Sequence, residues 1–160
     1  MNHISQTDIV GMDKTFRTNF VNSLSGFKSL QLVGTKSKAG LSNLAPINSL
    51  VHLGANPALL GMIMRPDTVA RHTLENIMET EFWTLNNIRE EYYVQAHQCA
   101  ARYDRQTSEF EATNLTECFG SILAPYLQEA SVQIGLKLTE RIDIQCNNTH
   151  MIIGEIVEVF

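Results

Sequence analysis

The chain has 160 residues, 44% of them hydrophobic and 18% charged, enough apolar surface for a folded single domain with its own core. Its formal charge of -5, twelve Lys and Arg against seventeen Asp and Glu, excludes the basic face that sequence-blind nucleic-acid binding needs. No apolar run reaches the roughly 18 residues of a membrane span, and the first residues lack the charged-then-apolar order of a secretion signal. With Cys99, Cys118 and Cys146 forming an odd set without CxxC, the expectation is a cytoplasmic protein with reduced thiols, no membrane partner and no nucleic-acid partner.

In chain order, residues 1–14 are polar and read as a flexible lead. Phe16, Phe20 and Leu24 then recur at helical spacing, with Gly26 as a stop. "KSLQLVGT" (28–35) alternates as a strand, "KSKAGLSN" is a polar turn, and the returning arm of the hairpin is assigned to 44–53. "NPALLGMIM" (56–64) is apolar enough for a strand covered on both faces, with Pro57 at its start. Leu74, Ile77 and Met78 set the stripe of a short helix, and "EFWTLN" (81–86) is a strand again.

Residues 89–102 read as helical, and 106–126 are ambiguous, with a short helix expected near Ser121. The last 34 residues alternate strictly: Val132, Ile134, Leu136, Leu138, Ile142 and Ile144, an "NN" turn, then "HMIIGEIVEVF". About six strands and three helices follow, mainly β with flanking helices and a mostly antiparallel sheet.

Several chemistries lack their motifs. There is no GxGxxG, no GxxxxGK[ST] and no GxSxG. The five histidines form no HExxH or HxxxH pair, so no metal is expected. Glu90, Glu91, Glu109 and Glu111 lie in charged stretches that read as solvated faces.

One stretch breaks an electrostatic rule. "MRPDTVARHTLENI" (64–77) gathers Arg65, Arg71 and His72 around a helix start, where the aligned peptide dipoles favour carboxylates. With Asp67 or Thr68 as the N-cap and Thr73 one turn on, guanidinium groups, hydroxyls and free N–H groups would meet at a phosphate-sized site. The competing reading pairs Arg71 with Glu75 and Arg65 with Asp67 on the surface; spacing alone leaves both open. "LSNLAPINS" (41–49) is a second unusual element, a strand of amides and small residues with a proline inside it.

The order of these elements resembles the flavin reductase-like family, the FMN-binding split β-barrel proteins. The resemblance runs through "GFKSLQLVGTKSKAGLSNLAPINSLVHLGANPALLGMIMRPDTVARHTLENIMETEFWTLNNI" and continues in "AHQCAARYDRQTSEFEATNLT", "APYLQEASVQIGLKL" and "IIGEIVEV". It implies a homodimeric Greek-key barrel with FMN near the interface, NADH or NADPH as a transient co-substrate, and a hydride passed to flavin N5 and on to a small-molecule electron acceptor. The alternative it allows is a non-catalytic electron-transfer or sensing module of the same fold.

By position, Asn43, Leu44, Ala45, Pro46, Ile47, Asn48 and Ser49 would line the isoalloxazine, largely through backbone groups. Arg65, Thr68, Arg71, His72 and Thr73 would hold the ribityl phosphate, and His97 would stand on the substrate side. No catalytic side chain is implied, because the flavin carries the chemistry. Two departures bear on the substrate side: Cys99 and Ala100 stand where relatives often carry Thr-Ser, and the chain stops at Phe160 where many relatives continue with a hairpin and a tail.

Overall fold

The computed structural model describes residues 3–66 and 68–160. Two helices come first, α1 (Gln6–Gly11) and α2 (Lys14–Ser23), followed by strands β1 (Gln31–Lys36), β2 (Ser42–Ile47), β3 (Val51–Ala55) and β4 (Ala58–Met64). Helix α3 (His72–Thr80) leads to β5 (Phe82–Asn87), a 3-10 turn at Glu90–Tyr92, and helices α4 (Tyr93–Gln98) and α5 (Glu109–Thr113). A two-residue pair, β6 (Glu117–Cys118) and β7 (Tyr126–Leu127), precedes the long arms β8 (Gln133–Ile144) and β9 (Thr149–Val159). Among the described residues no helix is long and apolar enough to cross a membrane.

Seven strands form one sheet in the order β2-β1-β5-β8-β9-β4-β3, and every pairing is antiparallel. In a flat sheet with strands ~4.8 Å apart, the edges β2 and β3 would stand about 29 Å from each other. The chain forbids that, since only Asn48, Ser49 and Leu50 join them and four peptide steps reach at most about 14 Å. The sheet therefore curls until its edges meet at that corner, giving a barrel with an unpaired seam between β2 and β3. This is the split barrel with Greek-key order implied by the resemblance.

Strand alternation sorts the apolar residues into two cores. Val33, Met62, Trp83, Leu85, Leu136 and Ile152 fill the inside, joined by Leu74 and Ile77 from α3. Leu32 and Leu44 point the other way, into a cluster with Tyr92, Ala96, Cys99, Phe110, Leu115 and Leu127 under α4 and α5. Asn86 ties this outer layer to the sheet: its Nδ2 donates to the Leu32 carbonyl at 3.0 Å and its Oδ1 accepts from Leu127 N at 2.9 Å. Thr84 Oγ1 donates to the Pro125 carbonyl at 2.6 Å, pressing that loop against Gly34.

Several expectations are corrected. Residues 6–11 are helical rather than frayed, because Ser5 and Asp8 form a reciprocal capping box. The returning hairpin arm is two strands broken at 48–50, and Asn56–Pro57 is a turn, so the following strand begins at Ala58. The short helix is at Glu109–Thr113 instead of near Ser121, whose amide and hydroxyl are bound by Glu158. Met78 lies on the solvent side of α3, while Thr73 and Asn76 join the buried stripe.

The close approach at Gly34 gives a test of the architecture. A Cβ there would overlap the Pro125 carbonyl oxygen and Thr84 Oγ1. Gly34→Ala is expected to lower unfolding free energy by about 2 kcal/mol or more in urea titration.

Candidate functional site

The site is built where β2 meets the start of α3. Leu44 N donates to Glu109 Oε2 at 2.9 Å, so the Leu44 backbone faces away from β1. In an antiparallel ladder the residues two apart share that orientation, so Ser42 and Pro46 face outward as well. Pro46, which has no N–H, therefore removes no ladder bond and is tolerated inside the strand.

Asn43 points to the opposite face, where its Nδ2 donates to Thr73 Oγ1 at 3.0 Å. Thr73 accepts that bond, which leaves its own hydroxyl hydrogen to donate elsewhere.

Helix α3 is capped by Arg71 with no side-chain cap bond. Thr68 is thus not the N-cap that the sequence suggests but an exposed residue in a bend before the helix, and Asp67 lies outside the described residues. The first intrahelical bond runs from Glu75 N to Arg71 O at 2.9 Å, leaving the amides of His72, Thr73 and Leu74 without intrahelical acceptors.

Arg71 does not form the expected surface pair with Glu75. Its backbone N donates to Glu75 Oε1 at 3.1 Å, while its Nε turns back to the Pro66 carbonyl at 3.2 Å. Its two terminal nitrogens and the exposed Arg65 meet no acceptor among the described residues.

Sequence reasoning missed two contributors. Arg105, thirty residues downstream of α3's first turn, binds Glu75 and donates to Asn76 Oδ1 at 3.0 Å. With Ser42, Asn43, His72 and Thr107 it lines a small recess beside the helix start. Spacing cannot reveal such a long-range convergence.

Glu109 was expected on a solvated face and is 6% exposed instead. The Phe110 that follows it plunges into the outer core, and the orphan N–H of Leu44 supplies the buried carboxylate with a donor. Burial pushes the Glu109 carboxyl above its ordinary range, while the Leu44 N–H and nearby His72 pull it down.

The remaining candidates spread out along the same edge. Ala45, Pro46 and Ile47 are half-buried on β2 and Asn48 is exposed at the corner. Ser49 Oγ bridges to β4, donating to the Ile63 carbonyl at 3.0 Å and accepting from Ile63 N at 3.1 Å. His97 is exposed on α4, outside the recess. Cys99 is buried against Thr113, and burial pushes its thiol up to about 11, so it packs as an apolar residue.

This arrangement offers cations, free amides and one oriented hydroxyl, with no carboxylate or imidazole placed as an acid–base pair. The donors fit a phosphomonoester, a compact dianion that only accepts hydrogen bonds.

The family model of the flavin reductase-like domain matches residues 28–160. The chain belongs to the flavin reductase-like family. A split-barrel-domain protein of Shewanella frigidimarina NCIMB 400, assigned as a flavin reductase, is 45% identical and superposes with a TM-score of 0.96 over 100% of this chain and 80% of its own. The 2-nitrobenzoate 2-nitroreductase of Pseudomonas fluorescens is 25% identical, with a TM-score of 0.83 over 99% of this chain and 76% of its own. An Aquifex aeolicus protein is 28% identical over 77% of this chain, which spans only 63% of that relative's length.

Within this flavin reductase-like chain, the buried carboxylate gives a prediction with a definite sign. Glu109 has a folded-state pKa above its unfolded value, so ionising it costs stability that is lost as pH rises from about 4.5 through the raised value. Glu109→Gln keeps an acceptor for Leu44 N and does not titrate. Urea unfolding is expected to show the wild type losing stability relative to this variant as pH rises across that window, and Glu109→Ala losing about 1–3 kcal/mol from the orphaned N–H.

Proposed function

We propose that the protein is an FMN-dependent oxidoreductase of the flavin reductase type, which passes electrons from NADH or NADPH to a small-molecule acceptor. The observation that supports this most is the start of α3, where free amides, the Thr73 hydroxyl and the open donors of Arg71 surround a position suited to a phosphoryl group. Bound FMN would supply acceptance of a hydride and release of electrons onward, so the protein need not supply an acid or base.

The chain's own residues then have separable tasks. Arg65, Arg71, His72 and Thr73 hold the phosphoryl end, with Thr68 at the entry. Asn43 orients the Thr73 hydroxyl, and Glu75 joins Arg71 to Arg105 so that these parts keep one geometry. The β2 edge from Asn43 to Ser49 carries the ring. At Leu44 only the carbonyl remains for it, because Glu109 already occupies the N–H.

The nicotinamide visits an open face of the ring and leaves, in keeping with the lack of a dinucleotide motif, and His97 lies on the solvent side of that approach. A homodimer with the flavin near its interface completes the reading. The nitroreductase relative makes nitroaromatic compounds one class of acceptor to assay.

Purified protein loaded with FMN is expected to be yellow and to bleach anaerobically with NADH or NADPH. A yellow protein that does not bleach contradicts the reductase reading and leaves a flavin-binding module. Arg71→Ala removes charge-assisted bonds of about 1.5–3 kcal/mol, so fluorescence titration should show FMN affinity falling roughly tenfold or more, with Arg65→Ala in the same direction. Unchanged affinity in both variants contradicts the phosphate site.

A further inference from the structure

We infer that the N-terminal arm, residues 3–30, is a docking element that packs its apolar stripe onto the barrel of a second copy of this chain. No residue of the arm is buried, and neither core cluster includes one of its side chains. Yet its sequence is built for burial. Phe16, Phe20 and Leu24 recur every four residues along one side of α2, with the two rings stacked 6.3 Å apart and nearly parallel. Leu24 is 63% exposed and Phe27 fully so, and Val10 and Val21 add to the same uncovered surface.

Helices of six and ten residues do not persist in water without something to pack against. The superposition on the Shewanella protein nevertheless runs through the whole chain, arm included. An arm that buries nothing on its own barrel keeps a set place only when another surface holds it.

Charge identifies that surface. The arm carries Lys14, Arg17 and Lys28 against Asp8 and Asp13, whereas the rest of the chain carries nine cations against fifteen carboxylates. The arm is the net-positive part of an acidic protein, so a second copy's barrel is electrostatically complementary to it. Each copy presents both the arm and the receiving surface, so reciprocal docking closes as a two-fold dimer.

The test is the mass of the full chain by light scattering across a dilution series, for wild type, Phe16→Asp with Phe20→Asp, and Lys14→Glu with Arg17→Glu. These side chains lie outside both cores, so urea unfolding of the barrel should stay cooperative in all three. The expected result is a wild type of twice 18.0 kDa, with the dimer's dissociation constant raised roughly tenfold or more by the double Asp variant and by less in the charge reversal. A wild type of single-chain mass at every concentration, or a double Asp variant that pairs as tightly as wild type, overturns the inference. A dimer indifferent to the arm leaves the flavin reading intact, and an arm-dependent dimer that takes up no FMN removes that reading instead.

Discussion

A sheet edge packed beneath helices has to find partners for backbone groups that no neighbouring strand will satisfy, and β2 carries that obligation. One side of the strand is paired with β1 along its whole length, and the other has none. The sequence meets the requirement residue by residue. Pro46 deletes one outward N–H, Glu109 fills another at Leu44, and the outward carbonyls that remain are free for a ligand. The same strand turns Asn43 toward Thr73, so the edge and the helix start are mechanically one unit.

That coupling explains why cations gather at the wrong end of a helix. Free amides at the start of α3 carry partial positive charge, and Arg71 and His72 there repel it unless an anion intervenes. Glu75 relieves part of the repulsion by accepting from Arg71 N and binding Arg105, but it is one carboxylate among four cationic side chains. A dianionic phosphoryl group fits the remaining charge and uses donors that otherwise have no acceptor among the described residues. The buried Glu109 has the opposite character, since its charge is committed to Leu44 and its ionisation opposes folding.

The parts legible in the sequence were those set by local pattern. Period-2 alternation gave β8 and β9, and i, i+4 spacing gave α2. The charge anomaly at 64–77 picked out the helix start and most of the residues gathered there. The parts not legible depend on contacts across long separations. Glu109 looked solvated because its neighbours are charged, and only the outward N–H of Leu44, 65 residues earlier, explains its burial. Arg105 was invisible for the same reason. The break at 48–50 was missed because Ser49 reads as a strand residue, whereas its hydroxyl in fact replaces ladder bonds to Ile63. Boundaries near Thr68 failed because a good capping residue competes with the tertiary position of Arg71, and the tertiary position won.

The central claim is that the start of α3 recognises the phosphoryl end of a flavin nucleotide, and the most direct measurement compares FMN with riboflavin, which shares the ring and ribityl chain and lacks only the phosphate. Parallel fluorescence-quenching titrations of the apoprotein are predicted to show riboflavin binding about a hundredfold or more weaker than FMN, the loss of at least two charge-assisted hydrogen bonds. Equal affinity for the two would contradict the account, because a site that holds both alike does not use the phosphoryl group.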